Sequence, residues 1–228
     1  MLNEDGDFIG FDAIIGNPPY IQLQSMGEIT DIYKKMEFET FERTGDIYCL
    51  FYELGNNILR QNYFLSFITS NKWMRAGYGE SMRRYFVEQT NPVLLIDFAG
   101  IKVFDEATVD VNIMTFQKAN NQHNTESCLI KDFNSDTMKL SDYINQSATI
   151  SSFGESAISS FVILSDIEKR IKEKIERVGT PLKEWDINIY RGILTGYNEA
   201  FIIDGKTKDG LIEKSPKNAE IIRPILRG

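Results

Sequence analysis

The sequence is poor in the residues on which much enzyme chemistry depends: its 228 residues include one histidine and two cysteines. A Ser-His-Asp relay, a His-rich zinc site and an HExxH helix each need imidazoles in a defined setting. His123 instead stands in Asn120-Asn121-Gln122-His123-Asn124-Thr125, a polar run that reads as a solvated loop. Cys49 and Cys128 lie far apart with no CxxC spacing, so neither a metal knuckle nor a disulfide framework is indicated and a reducing compartment is expected. No charged-then-apolar leader opens the chain, and no apolar run approaches the roughly 18 residues that a bilayer span requires. The reading is a soluble, cytoplasmic protein.

Positive charge is also in deficit. Lys and Arg number 25 against 33 Asp and Glu, a net charge of -8. The deficit is uneven, with 10 against 17 in residues 1–118 and 15 against 16 in residues 119–228. Such a chain is not built to coat nucleic acid nonspecifically, because phosphate neutralisation needs a basic surface. A local basic cleft stays open to it. Apolar residues are in good supply, at 42% of the chain, which is enough to fill a core.

From Phe8 to about Lys118, short apolar runs alternate with longer amphipathic ones, the pattern of an α/β fold with a mostly parallel sheet covered by helices. Phe11–Gly16, Phe64–Thr69, Val93–Phe98 and Val111–Phe116 read as strands. Between the first two, a polar stretch to about Gly45 is too long for a minimal connection and is expected to be functional. Asp46 then precedes Ile47, Leu50, Phe51, Leu54 and Ile58, spaced like one helix face. A second helix is expected after Gly79, around Met82, Phe86 and Val87, closed by Pro92. Asn120 to about Gly154 is rich in Asn, Ser and Thr and reads as a linker or a loosely packed crossover. Leu164, Ile167, Ile171, Ile175 and Val178 mark a mixed-charge amphipathic helix whose charges read as a solvated face. After Pro181 a short-stranded segment, Asp186 to Asp204, is expected.

Asn17-Pro18-Pro19-Tyr20, directly after the first buried strand, is the most informative tetrapeptide. Ligands of open α/β sheets bind beyond the carboxyl ends of strands, where this loop falls. Its residue types suit the activation of a planar amino group conjugated to an aromatic ring. Two acceptors aimed at the N–H bonds of such a nitrogen push it toward a pyramidal, reactive geometry. Asn17 can offer a side-chain oxygen and Pro18 its main-chain carbonyl, while the prolines fix φ and hold the carbonyls in place. Tyr20 can stack on the ring, at about 1–3 kcal/mol per base.

The chain here resembles the amino-group DNA methyltransferases, in which Asn-Pro-Pro-Tyr follows the fourth strand of a Rossmann-like fold. Phe11–Tyr20, Asp46-Ile47-Tyr48, Ser70–Gly79 and Val103–Asp110 are similar to the adenine-specific branch typified by TaqI and by fused type IIG restriction-modification enzymes. Ile189–Phe201 is similar to the opening of that group's specificity domain. The resemblance implies direct transfer of a methyl group from S-adenosylmethionine to the exocyclic amine of an adenine flipped out of double-stranded DNA. Asn17 and the Pro18 carbonyl would accept from that amine, Tyr20 would stack on the base, and Phe116 would close its other side. Neither cysteine follows a Pro, unlike the Pro-Cys nucleophile of the cytosine-ring branch.

Lys34, Lys35, Lys72, Arg75, Arg83 and Arg84 follow the ends of the first two strands or lie in the adjoining helix, and are candidates for phosphate contacts. Arg191 is a candidate for DNA contact or for positioning the specificity domain. No metal site is expected. In the family, the Gly-rich cofactor loop and its acidic partners precede Asn-Pro-Pro-Tyr, and only 16 residues do so here. Gly77-Tyr78-Gly79 lacks the third glycine and does not replace that loop.

The resulting expectation is a partial catalytic domain over 1–118 containing strands four to seven, a linker and amphipathic helix over 119–180, and the start of a target-recognition domain over 181–228. Such a fragment is expected to be inactive alone. The first strand would become a sheet edge, covered by Leu2–Ile9, by the linker or by a second copy of the chain. A methyltransferase acting on a protein glutamine or an RNA base, and a noncatalytic DNA-binding module, are the competing readings.

Overall fold

Each of the four apolar runs forms a strand, because alternate residues of each find an apolar neighbour on one face or the other of a shared sheet. The computed structural model describes residues 2, 4–104, 109–133, 137–187 and 201–224. In chain order the strands are β1 (Phe11–Gly16), β2 (Leu59–Ser70), β3 (Asn91–Asp97), β4 (Val111–Gln117), β5 (Thr125–Leu129) and β6 (Thr149–Ser151). They join one sheet in the order β1-β2-β4-β3-β5-β6. β1 pairs parallel with β2 and β3 with β5, whereas β4 runs antiparallel to both of its neighbours and β6 antiparallel to β5. The sheet is therefore mixed, with a mostly common strand direction interrupted by β4 and β6.

Helices α1 (Glu28–Lys35), α2 (Tyr48–Ile58) and α3 (Glu80–Gln89) lie between the strands of the first half, and α4 (Leu140–Ser147) and α5 (Asp166–Val178) follow β5 and β6. The largest core cluster joins Tyr48 and Tyr52 of α2, Phe86 of α3, Leu65 and Phe67 of β2, and Met114 and Phe116 of β4. A second cluster gathers Ile96, Phe98, Val111, Cys128 and Ile130. Both cysteines are buried and unpaired.

Three readings change on contact with the structure. The Asn-, Ser- and Thr-rich stretch read as a linker carries β5 and β6. Its few apolar residues suffice because Thr125 and Ser127 are buried with their hydroxyls bonded to the carbonyls of Pro92 and Thr125. On α2 the expected face packs only in part: Ile47 and Leu50 are buried with Leu23, but Phe51 and Leu54 are exposed, while Tyr48, Cys49, Tyr52 and Asn56 are buried on the side toward the sheet. Gly55 decides this, since a Cβ there would meet Leu65 Cδ1 at 2.2 Å, so only a glycine lets the helix lie this close to β2. Pro92 sits inside β3, where its missing N–H coincides with the register shift between Pro92 and Leu94.

The edge prediction fares differently in its parts. β1 does lie at the sheet edge, and Ile15 is 86% exposed. Among the described residues of 2–9 none joins the sheet beside it: Leu2 bridges Phe8, and the Phe8 ring meets Phe11 edge-on at 5.5 Å. The linker does not cover it either, because its strands are taken by the opposite edge. At Gly10 the chain lies against the Arg60 backbone, on the β2 side of β1.

The chain divides into two compact units, residues 1–177 and 178–228. In the second, a helix over Gly205–Lys214 starts at Asp204, whose Oδ1 accepts from the Thr207 amide at 2.7 Å. The strands expected over Asp186–Asp204 fall mostly outside the described residues. Among the described residues no helix is long and apolar enough to cross a membrane.

Candidate functional site

β1, β2 and β3 end together, at Gly16, Ser70 and Asp97, because the register sets Gly16 beside Phe67 and both Ser70 and Asp97 beside the start of β4. Asn17-Pro18-Pro19-Tyr20 leaves the sheet at this end. Pro18 is buried, Asn17 and Pro19 are exposed, and Tyr20 is half-buried. The Tyr20 hydroxyl donates to the Ile68 carbonyl at 3.2 Å, which turns the ring back over the end of β2. Burial raises the Tyr20 pKa, so the phenol keeps the proton it donates.

A hydrogen-bonded wire backs this ring. Tyr20 meets Tyr48 edge-to-face, with centroids 6.1 Å apart. The Tyr48 and Tyr78 hydroxyls are 3.0 Å apart, and Tyr78 donates to Asp46 Oδ2 at 3.1 Å. Burial is the first cause that pushes both phenols up, and the nearby Asp46 charge adds to it. The backbone repeats the connection: the Ile47 amide donates to Ile21 and the Leu23 amide to Gly45, each at 2.9 Å. The Asp46-Ile47-Tyr48 block singled out in the sequence is thus the support of the Asn-Pro-Pro-Tyr loop. The polar stretch after the loop is held down as well, by Glu53, whose carboxylate accepts from Thr40 N and Oγ1 at 2.9 Å.

The other candidates are scattered. Phe116 is fully buried among Tyr52 and Phe86, five residues inside β4 and about 17 Å from its Val111 end. It is a core residue, paired across the sheet with Leu65. Sequence reasoning passed over Phe104, which is half-buried against the Ile96, Phe98 and Val111 cluster that Tyr20 also touches. Its signal was present in the Val103-Phe104 pair of the quoted block, directly before residues 105–108, which lie outside the described set.

Of the cations, Lys34 and Lys35 are exposed on the last turn of α1, and Lys72 and Arg75 are exposed just past β2. Arg84 is exposed and engaged with Glu80 and Glu88 at 3.2 and 3.6 Å. Arg83 cannot serve as a phosphate contact. It is 2% exposed and donates to the carbonyls of Trp73, Ala76, Ile158 and Ser159, tying residues 158–159 to the loop after β2. Arg191 lies outside the described residues, as does most of the Ile189–Phe201 block.

Asp97 is a residue the sequence reading missed. Its side chain is 3% exposed, and its Oδ1 accepts from Asn71 Nδ2 at 2.8 Å and the Ala99 amide at 3.1 Å. It borders a cavity of about 310 Å3, lined also by Asn71, Lys72, Met74, Arg75 and Ala76. Its only sequence signal was an acid ending the apolar run Val93–Ile96.

Gly77–Gly79 forms a tight turn, and a Cβ on Gly79 would strike the Trp73 carbonyl, so this glycine serves packing and not a phosphate or a sulfonium. Among the described residues, no cluster of His, Cys, Asp and Glu could hold a metal ion.

The mixed α/β sheet, with Asn-Pro-Pro-Tyr at the carboxyl end of β1, has a fold shared with solved restriction-modification proteins. The solved type IIG restriction endonuclease BpuSI superposes with a TM-score of 0.50 at 13% identity, over 78% of this chain and 23% of that one. A structure described as a modification subunit of a type I restriction enzyme from Vibrio vulnificus gives 0.52 at 15% identity, over 72% of this chain and 37% of that one. Residues 2–104 match the Eco57I restriction-modification methylase family.

The chain is 28% identical over 210 residues to the type II restriction enzyme and methyltransferase RM.Eco57I of Escherichia coli, covering 89% of this chain and 20% of that protein. It is 30% identical over 111 residues to the type II methyltransferase M.BanIII of Aneurinibacillus aneurinilyticus, covering 48% of this chain and 19% of that protein. The chain thus spans about a fifth of the length of these curated relatives.

Proposed function

We propose that this chain supplies the target-amine half of a site-specific DNA methyltransferase of a restriction-modification system, one that methylates the exocyclic amine of adenine. The observation that carries this reading is the Asn17–Tyr20 loop at the carboxyl end of β1, with its Tyr20 ring fixed by Ile68 and Tyr48. Asn17 Oδ1 and the Pro18 carbonyl accept from the amine of a flipped adenine, Tyr20 stacks on one face, and Phe104, in place of Phe116, faces the other. The two acceptors draw the nitrogen lone pair out of the ring and would poise it to take a methyl group from a sulfonium, whose sulfur would leave with the bonding pair while the nitrogen gives up one proton to solvent. S-adenosylmethionine supplies that methyl group when bound. Lys34, Lys35, Lys72 and Arg75 are the cations free to meet backbone phosphates. The bare edge of β1 is available for a second copy or another segment to pair along it.

A glutamine amide or an RNA base would suit the same loop. The names of the relatives favour DNA. The test is made in cells expressing the gene that encodes this chain, by sequencing for N6-methyladenine at a fixed site. Asn17→Ala and Tyr20→Ala each lower methylation on the order of 100-fold or more, while unchanged methylation in both variants removes the assignment.

A further inference from the structure

The cavity at the end of β3 is bordered by a carboxylate with one oxygen engaged in hydrogen bonds and the other only in a long ion pair. Asp97 is nine-tenths buried or more, and its Oδ1 is fully used by Asn71 and Ala99. Its Oδ2 lines the cavity with the Arg75 guanidinium at 4.0 Å, beyond hydrogen-bond range. A carboxylate oxygen held this way is a preformed acceptor, because two bonds to its sister oxygen already fix its orientation. At the rim stand two cations, Lys72 and the 64% exposed Arg75. About 310 Å3 is at the lower end of the range for small-molecule sites.

We infer that this cavity is a subsite for one nucleotide of the bound DNA strand, next to the one held by Asn17 and Tyr20, and that it selects a base carrying an exocyclic amine. The inference rests on the methyltransferase reading for its substrate but uses different residues, since neither Asn17 nor Tyr20 lines the cavity. The amine donates to Asp97 Oδ2, and the nucleotide's phosphate meets Lys72 and Arg75. Thymine presents only an imide N–H flanked by two carbonyls, which the carboxylate repels. The cations at the rim disfavour the sulfonium of S-adenosylmethionine. Binding here gives the enzyme a preference for the base beside the target without any contact in a groove.

The experiment uses the complete 228-residue chain, labelled with 15N, titrated with dAMP, dTMP, deoxyadenosine and inorganic phosphate. The Ala99 amide and the Asn71 side-chain amide, both bonded to Asp97, report. Saturable shifts of both with dAMP are expected, at least tenfold weaker with dTMP and with phosphate. Asp97→Asn keeps an acceptor for Asn71 and Ala99 but turns the cavity-facing oxygen into a donor, and weakens dAMP at least tenfold in a still well-dispersed spectrum. Should that variant lose its fold, Arg75→Ala decides. It weakens dAMP several-fold and leaves deoxyadenosine unchanged. Phosphate binding as well as dAMP, dTMP equalling dAMP, Asp97→Asn binding like the wild type, or silent reporters each overturn the subsite. Tyr20→Ala leaves these shifts intact while abolishing methylation, so failure of the subsite and failure of the methyltransferase reading register in separate assays.

Discussion

At the carboxyl end of the sheet, Asn17, Asn71 and Asp97 hold polar atoms toward solvent or a cavity, whereas Tyr52, Phe67, Phe86 and Phe116, packed between the sheet and its helices, exclude water. The two regions share β2 and the β3–β4 connection, and both are rich in aromatic rings. Their difference lies in what surrounds them. The ring of Tyr20, in the loop past β1, is half-buried, whereas Phe116, one residue from the end of β4, is closed in by Tyr52 and Phe86. The same holds for the arginines: Arg75 stands at the rim, and Arg83, eight residues on and one helix turn into α3, is spent on four carbonyls.

This contrast is open to attack from both ends. The largest effect is expected from Phe116→Ala, which costs about 3–5 kcal/mol of stability, read by chemical denaturation. Asn17→Ala, by comparison, leaves the midpoint unchanged. A silent Phe116→Ala would place that residue with the mouth of the site and restore its role against the base. Next, Arg83→Met costs about 3 kcal/mol because four carbonyls lose their donor, while Arg75→Ala leaves stability unchanged and weakens DNA retention as salt rises. Equal stability losses in the two variants would erase the distinction between them.

Alkali separates the regions by a third route. Burial raises the phenols of Tyr48, Tyr52, Tyr78 and Tyr85, the last to about 12, from an ordinary value of 10.0. The folded chain then keeps protons that the unfolded chain releases. Stability is complete below pH 10 and falls as pH rises through 10 toward 12. These phenols ionise only as circular dichroism is lost. Titration of all 10 tyrosines together in a folded chain would contradict it. The smallest effect is that of Tyr20→Phe, about 1 kcal/mol from one half-buried hydroxyl, with a rise in local mobility of the loop seen by amide exchange.

The sequence carried the four central strands because each is a run of apolar residues ended by Gly, Pro or a polar cluster. β5 escaped because Thr125-Glu126-Ser127-Cys128-Leu129 is mostly polar, and its burial depends on hydroxyls finding carbonyls on β3 and on its own backbone. The packing of α2 was half legible, in Ile47 and Leu50; the side against β2 escaped because Gly55, blank on any hydrophobicity scale, lies on it. The loop after β1 was readable, since its chemistry is written in four consecutive residues. Asp97 and Arg83 were not, because what defines them is the company of Asn71 and Ala99, or of Ile158 and Ser159, brought together only by the fold.

β4 is synthesised after β3 but lies between β3 and β2. As the chain leaves the ribosome, β1 and β2 can pair at once, yet β3 has no partner among the strands already made, since its neighbours are β4 and β5. Two strand edges therefore stay open until residue 117 has emerged, and the centre of the sheet closes in a single late insertion that also buries Phe116 and Asn112. Such an order makes the nascent chain prone to wrong pairing for as long as translation pauses within residues 98–117. It also means that the cavity bordered by Asp97 comes into being only when that insertion is complete.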